Sequence, residues 1–151
     1  MMAQIEAQIA QIDKTAGQLI ESQEHIKQEC AIITSVQGVG PITAWHIIAM
    51  LPEIKNINRN QLTCLVGLAP FNRDSGKTSG QRYIRGGRHK LRKCLYMATT
   101  SAMRCNDVIS PYVKSLKERG KPHKCAVVAG MRKLILYIQK LLKNPQIALA
   151  S

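Results

Sequence analysis

The residues best suited to chemistry lie between Arg73 and Lys93. That stretch holds eight cations, Arg73, Lys77, Arg82, Arg85, Arg88, Lys90, Arg92 and Lys93, against one acid, Asp74. Guanidinium and ammonium groups at this density suit a polyanion, because they pair with phosphate oxygens. The interspersed Gly76, Gly80, Gly86 and Gly87 let backbone amides approach the same oxygens. Arg85-Gly86-Gly87-Arg88-His89-Lys90 falls where a loop is expected to become a helix, and a helix N-terminus is itself an anion site. Arg88 and Arg92 are four apart and share a helix face.

Ser75 sits inside this segment. A serine that attacks phosphorus needs an exposed hydroxyl, cations to stabilise the developing charge, and a proton acceptor. Arg73 and Lys77 supply the second. No base is identifiable, since Asp74 is adjacent and points elsewhere in an extended chain. Serines in glycine-rich loops are ordinarily turn residues, so spacing alone leaves Ser75 as either, and Ser79 is no better placed. Paired carboxylates for two-metal chemistry are missing: beyond residue 30 the acids are Glu53, Asp74, Asp107 and Glu118, and no two form a motif. The chain itself is therefore expected to hold no metal or other cofactor.

Charge places these residues in context. The chain of 151 residues carries 22 Lys and Arg against 9 Asp and Glu, a formal +13. Residues 1–30 hold two lysines against five acids, so the remaining 121 residues carry 20 cations against four acids. Such a surplus implies a nucleic-acid partner for the part after residue 30, because each phosphate contact releases counterions. The five cysteines, Cys30, Cys64, Cys94, Cys105 and Cys125, contain no Cys-x-x-Cys pair, and the histidines stand apart. Neither a zinc site nor a disulfide framework is expected; reduced thiols in a cytoplasmic bacterial protein fit best. The apolar run Leu134 to Leu142 is interrupted by Gln139 and Lys140 and falls short of the ~20 residues of a membrane span.

The elements that must position these groups read as all-α. Aromatics are scarce at 4%, so the core is aliphatic, which favours packed helices. Ile5, Ile9, Ile12, Ala16, Leu19, Ile26 and Cys30 recur at alternating steps of four and three, with Gln23 at the missing step. This heptad seam predicts one long helix over residues 1–30 that forms a coiled coil and assembles a homodimer or higher oligomer. An amphipathic helix lying on its own domain is the alternative. A compact helical domain follows over 31–151. Ile32 to Leu51 reads as a helix-hairpin-helix (about 32–51): one helix ends near Ser35, Gly38 and Gly40 make the turn and approach phosphate, and Pro41 opens a second helix. A short helix is expected over Arg59 to Leu68, and an exposed basic loop or small hairpin over about 70–88. Three further helices run from Gly87 to Arg104, from Asn106 to Arg119, and from His123 to Lys143, where Asn144-Pro145 ends the last.

The order of blocks is distinctive. A coiled-coil helix precedes Val36-Gln37-Gly38-Val39-Gly40-Pro41-Ile42-Thr43-Ala44. Leu65-Val66-Gly67-Leu68-Ala69-Pro70, Asp74-Ser75-Gly76-Lys77, Arg85-Gly86-Gly87-Arg88 and Leu91-Arg92-Lys93-Cys94-Leu95-Tyr96-Met97-Ala98 then follow in turn. Over roughly residues 25–120 this series resembles the C-terminal transposase domain of the insertion-sequence transposases that include the pilin-gene invertases, the Piv/MooV or DEDD-type group. The resemblance implies DNA as partner, with a structured guide RNA used by some members. It implies Ser75 as a nucleophile that forms a phosphoserine link with DNA. It also implies a separate N-terminal RuvC-like nuclease domain with four acidic ligands for Mg. No such acidic set is present here, so the chain is expected to be a fragment that does not complete strand exchange alone. Beside this reading stand a non-catalytic helix-hairpin-helix DNA-binding module and a basic protein–protein adaptor.

Overall fold

The computed structural model of the protein describes residues 1–71 and 83–149. Among these the expected all-α class holds, with eight helices and a single two-stranded ladder. Arg73, Ser75, Lys77 and Arg82 lie outside the described residues.

The first expectation to be corrected is the continuous helix over residues 1–30. Two helices occupy that stretch, α1 (Met2–Glu21) and α2 (Glu24–Thr34), separated at Gln23, which is extended at φ −121°, ψ 101°. Ser22 contributes to the break: its hydroxyl donates to the Leu19 carbonyl at 2.7 Å, an alternative to continued helix that serine offers readily. Packing completes it. The half-buried face of α1 is Asp13, Ala16, Gly17 and Ile20, with Gly17 against the Trp45 ring. Most of the heptad seam faces elsewhere: Ile5, Ile9, Ile12 and Leu19 are exposed.

The body of the protein is organised around α7 (His123–Lys143). Met131, Leu134, Ile135, Ile138, Leu141 and Leu142 are among its ten buried residues, so it presents core positions on more than one face. Against it pack α2, α4 (Arg59–Val66), α5 (His89–Cys105), α6 (Ile109–Glu118) and the short α8 (Pro145–Leu149), while α3 (Pro41–Met50) lies on α2 and α5. Gly130 lets α5 and α6 approach α7 closely. A Cβ there would stand 2.8 Å from Val113 Cγ2 and 3.1 Å from Thr99 Cγ2. On α5, Ala98 is buried and Met97 exposed, which settles the choice between the two as the inward residue.

Two buried amides hold irregular chain onto this helical body. Gln139 Nε2 donates to the carbonyls of Ile54 (2.8 Å) and Ile57 (2.9 Å), fastening the segment after α3 to α7. Asn106 links α6 to the turn between α2 and α3. Its Oδ1 accepts from the amides of Val108 (2.9 Å) and Ile109 (3.0 Å), and its Nδ2 donates to the Gln37 carbonyl at 3.0 Å. Asn106→Ala removes a helix cap and leaves these backbone groups short of partners at a site only 4% exposed. The expected loss is about 2–3 kcal/mol, read as a lower urea midpoint at unchanged slope. Asn106→Ser, which keeps a cap acceptor, should recover part of it.

Candidate nucleic-acid interface

The glycines of the α2–α3 turn differ in what surrounds them. Gly38 has φ +92°, and a Cβ added there would lie 2.5 Å from the Ala102 amide nitrogen on α5. Its role in the structure is close packing of the turn onto α5. Gly40, just before Pro41 at the start of α3, is exposed with open space where a Cβ would be.

The basic segment is anchored more firmly. Gly67 ends α4 in the left-handed conformation at φ +76°, and the chain then forms β1 (Pro70–Phe71). It returns as β2 (Tyr83–Ile84), paired antiparallel with Pro70 opposite Ile84 and Phe71 opposite Tyr83. Residues 72–82 connect the two strands and carry Ser75. Below the ladder, Gly67 and Gly87 meet backbone to backbone: a Cβ on either would overlap the other turn's main chain. Arg92 ties the same two turns, its Nη1 donating to the Gly86 carbonyl at 2.6 Å and the Gly67 carbonyl at 3.3 Å. The Arg88 amide donates to the Leu65 carbonyl at 2.8 Å.

The cations expected to meet phosphate therefore divide. The Arg88 guanidinium donates to the Met50 carbonyl at the end of α3 and forms an ion pair with Glu53. That positive group at a helix C-terminus complements its unsatisfied carbonyls. Arg92 is committed to the glycine turns. Arg85, Lys90 and Lys93 face solvent, with the Arg85 guanidinium 5.9 Å from the Phe71 ring centroid.

The Arg88 hydrogen bond holds the Glu53 carboxyl below its ordinary value of 4.5. A depressed folded-state pKa stabilises the fold above the unfolded value, and the contribution disappears as pH falls through the folded value. The pair is about one-third exposed, which limits it to no more than about 1 kcal/mol. Glu53→Gln is expected to lower the thermal midpoint at neutral pH and to converge with the parent chain below the carboxylate range.

Sequence reasoning missed a second feature. A groove of about 1160 Å³ runs between the β1–β2 ladder and α7, bordered also by α6. Leu68, Ile84, Val128 and Leu136 give it an apolar lining, and Tyr83, Tyr112 and Tyr137 line it with rings. Its cations are Arg59, Lys124, Arg132, Lys133, Lys140 and Lys143, and no acid lines it among the described residues. Lys133 Nζ stands 4.2 Å from the Tyr112 ring centroid, and Lys143 Nζ donates to the Ile57 carbonyl at 2.9 Å. The signal available in the sequence was the row Arg132, Lys133, Lys140 and Lys143 on one helix, which the denser run before it overshadowed.

Fold and site together define a basic helical domain whose cationic groove adjoins a clamped ladder. Residues 30–114, more than half of the chain, match the family described as "Transposase IS116/IS110/IS902 family", and the chain belongs to that family. It is 26% identical over 131 residues to the pilin gene-inverting protein of Moraxella lacunata, a match covering 84% of this chain and 41% of that protein. It is 26% identical over 151 residues to the insertion element IS900 uncharacterized 42 kDa protein of Mycobacterium paratuberculosis, covering 95% and 38% respectively. With the insertion element IS116 uncharacterized 44.8 kDa protein of Streptomyces clavuligerus it shares 27% identity over 122 residues, covering 77% and 30%. The chain thus spans well under half the length of the curated relatives it matches. No helix among the described residues is long and apolar enough to cross a membrane.

Proposed function

We propose that this chain is the DNA-binding, C-terminal part of an insertion-sequence recombinase of the Piv/MooV, DEDD type, in which Ser75 attacks the DNA. The observation that carries this reading is the clamped ladder. Gly67 against Gly87, with Arg92 tying both turns, braces the chain before β1 and after β2, the two strands between which the Asp74-Ser75-Gly76-Lys77 block falls in the sequence. A nucleophile must be delivered within a fraction of an ångström, and a rigid base serves that end. The relatives' names, a gene-inverting protein and insertion elements, point to rearrangement of DNA. Mg belongs to the RuvC-like nuclease domain of this scheme, and a structured guide RNA is a further partner. The exposed Ile5, Ile9, Ile12 and Leu19 of α1 suit assembly with a second copy.

The test is to trap a denaturation-resistant protein–DNA adduct with the nuclease domain supplied, using the parent chain and Ser75→Ala. A non-catalytic module keeping only the DNA contacts, with the open start of α3 at Gly40 as one of them, predicts no adduct from either.

A further inference from the structure

We propose that the groove between α7 and the β1–β2 ladder binds single-stranded DNA, with unpaired bases on its tyrosines and apolar lining and phosphates on its cations. The choice of DNA rests on the function proposed above; the preference for an unpaired strand rests on the groove itself.

Charge complementarity identifies a polyanion. None of the six groove cations forms an ion pair with another described residue; Lys143 donates to the Ile57 carbonyl and Lys133 lies over the Tyr112 ring, and the other four, Arg59, Lys124, Arg132 and Lys140, carry the case for phosphate. Arg59 and Arg132 also border an adjoining depression with Asn58 and Asn60, so two guanidinium groups flank one hollow with no acid between them. Like charges gathered in this way favour an anionic occupant.

The lining identifies what the polyanion carries. Cations alone would serve the convex phosphate surface of a duplex, which offers no free base faces. Here three tyrosines lie among apolar side chains, Tyr83 being 41% exposed and Tyr112 and Tyr137 half-buried. Aromatic rings beside a cationic track are how proteins hold unpaired strands, because every base has a face to stack. At about 1160 Å³ the groove exceeds the size of a small-molecule pocket, roughly 300–1000 Å³, and admits several nucleotides. Because Pro70, Tyr83 and Ile84 form one wall, a strand in the groove runs along the β1–β2 ladder.

The experiment measures fluorescence anisotropy of the whole chain with labelled oligo(dT), a duplex of equal length and oligo(U), across a salt series, with circular dichroism as the check on folding. Oligo(dT) should bind more tightly than the duplex. The surface variant Lys140→Glu combined with Arg59→Glu should weaken oligo(dT) at least tenfold and flatten the slope of log affinity against log salt by about 1.4, while Lys117→Glu, outside the groove, should not. Tyr83→Ala should weaken oligo(dT) by about tenfold and leave the duplex unchanged. Equal losses for duplex and single strand would reduce the groove to a plain phosphate patch and overturn the proposal. A preference for oligo(U) would assign the groove to RNA and overturn it too. Unchanged binding of all three nucleic acids in the groove variants would remove the groove from nucleic-acid binding and overturn the proposal as well. The two readings fail separately. Loss of oligo(dT) binding in the groove variants with an adduct that survives Ser75→Ala retains the groove and removes the nucleophile. An adduct abolished by Ser75→Ala with insensitive groove variants does the reverse.

Discussion

With a RuvC-like nuclease domain present, Ser75→Ala is expected to abolish the covalent protein–DNA adduct and to lower strand exchange by on the order of 10³-fold or more. The hydroxyl oxygen of Ser75 would join phosphorus as a deoxyribose oxygen leaves, and alanine has no atom to take that place. Binding should behave differently. Removing one neutral hydroxyl leaves all 20 cations of residues 31–151 in place, so affinity for DNA should change by no more than about twofold. That contrast separates a nucleophile from a contact residue. A variant that binds normally and still forms the adduct removes Ser75 from the chemistry. A variant that loses binding and adduct together makes Ser75 a structural or contact residue.

Gly87→Ala should be among the most damaging single-methyl changes in the chain, and Gly86→Ala supplies its control. Both glycines are left-handed, at φ +70° and +71°, so alanine incurs the same conformational penalty at either, about 1 kcal/mol. They differ in surroundings. A Cβ on Gly86 meets open space, whereas one on Gly87 overlaps the main chain of Gly67. Backbone cannot swing aside as a flexible side chain can, so the two turns must separate. That strains the Arg92 hydrogen bonds and the Arg88 amide bond to Leu65. Gly87→Ala is therefore expected to cost about 3 kcal/mol or more, against about 1 for Gly86→Ala, in urea unfolding. Amide exchange at Tyr83 should accelerate in Gly87→Ala alone, because Tyr83 pairs with Phe71 and reports whether the ladder is still held. Equal losses in both variants would mean that the close approach of the turns contributes nothing.

The contrast between these two glycines shows where sequence reasoning reaches its limit. Arg85-Gly86-Gly87-Arg88 was legible as a break between loop and helix, because glycine pairs interrupt periodicity. That one glycine faces solvent and the other a distant backbone depends on residue 67, which no local pattern connects to residue 87. The same holds for the cations. Arg88 and Arg92 resemble Lys90 and Lys93 as letters, yet Arg88 reaches Met50 and Glu53 and Arg92 reaches two glycine carbonyls, while the lysines face solvent. A guanidinium is a phosphate ligand or a structural clamp according to which acceptors the fold brings near it.

The first thirty residues illustrate the converse error. A four–three spacing continued across Ser22 and Gln23 as if no break were present, because periodicity records which positions are apolar and not whether the backbone between them stays helical. Docking of Gly17 against Trp45 then selected a face other than most of the seam.

By itself the sequence determined the helical class, the approximate span of the helices after residue 31 other than the short α8, the separation of an acidic leading segment from a basic body, and the order of blocks that marks the family. These are properties of neighbours along the chain: spacing, caps, breakers and charge density. The tertiary structure alone decided which cations remain available and that Arg59, Tyr83, Tyr112 and the lysines of α7 line one groove. Those residues are far apart in the chain, and packing around α7 brings them together.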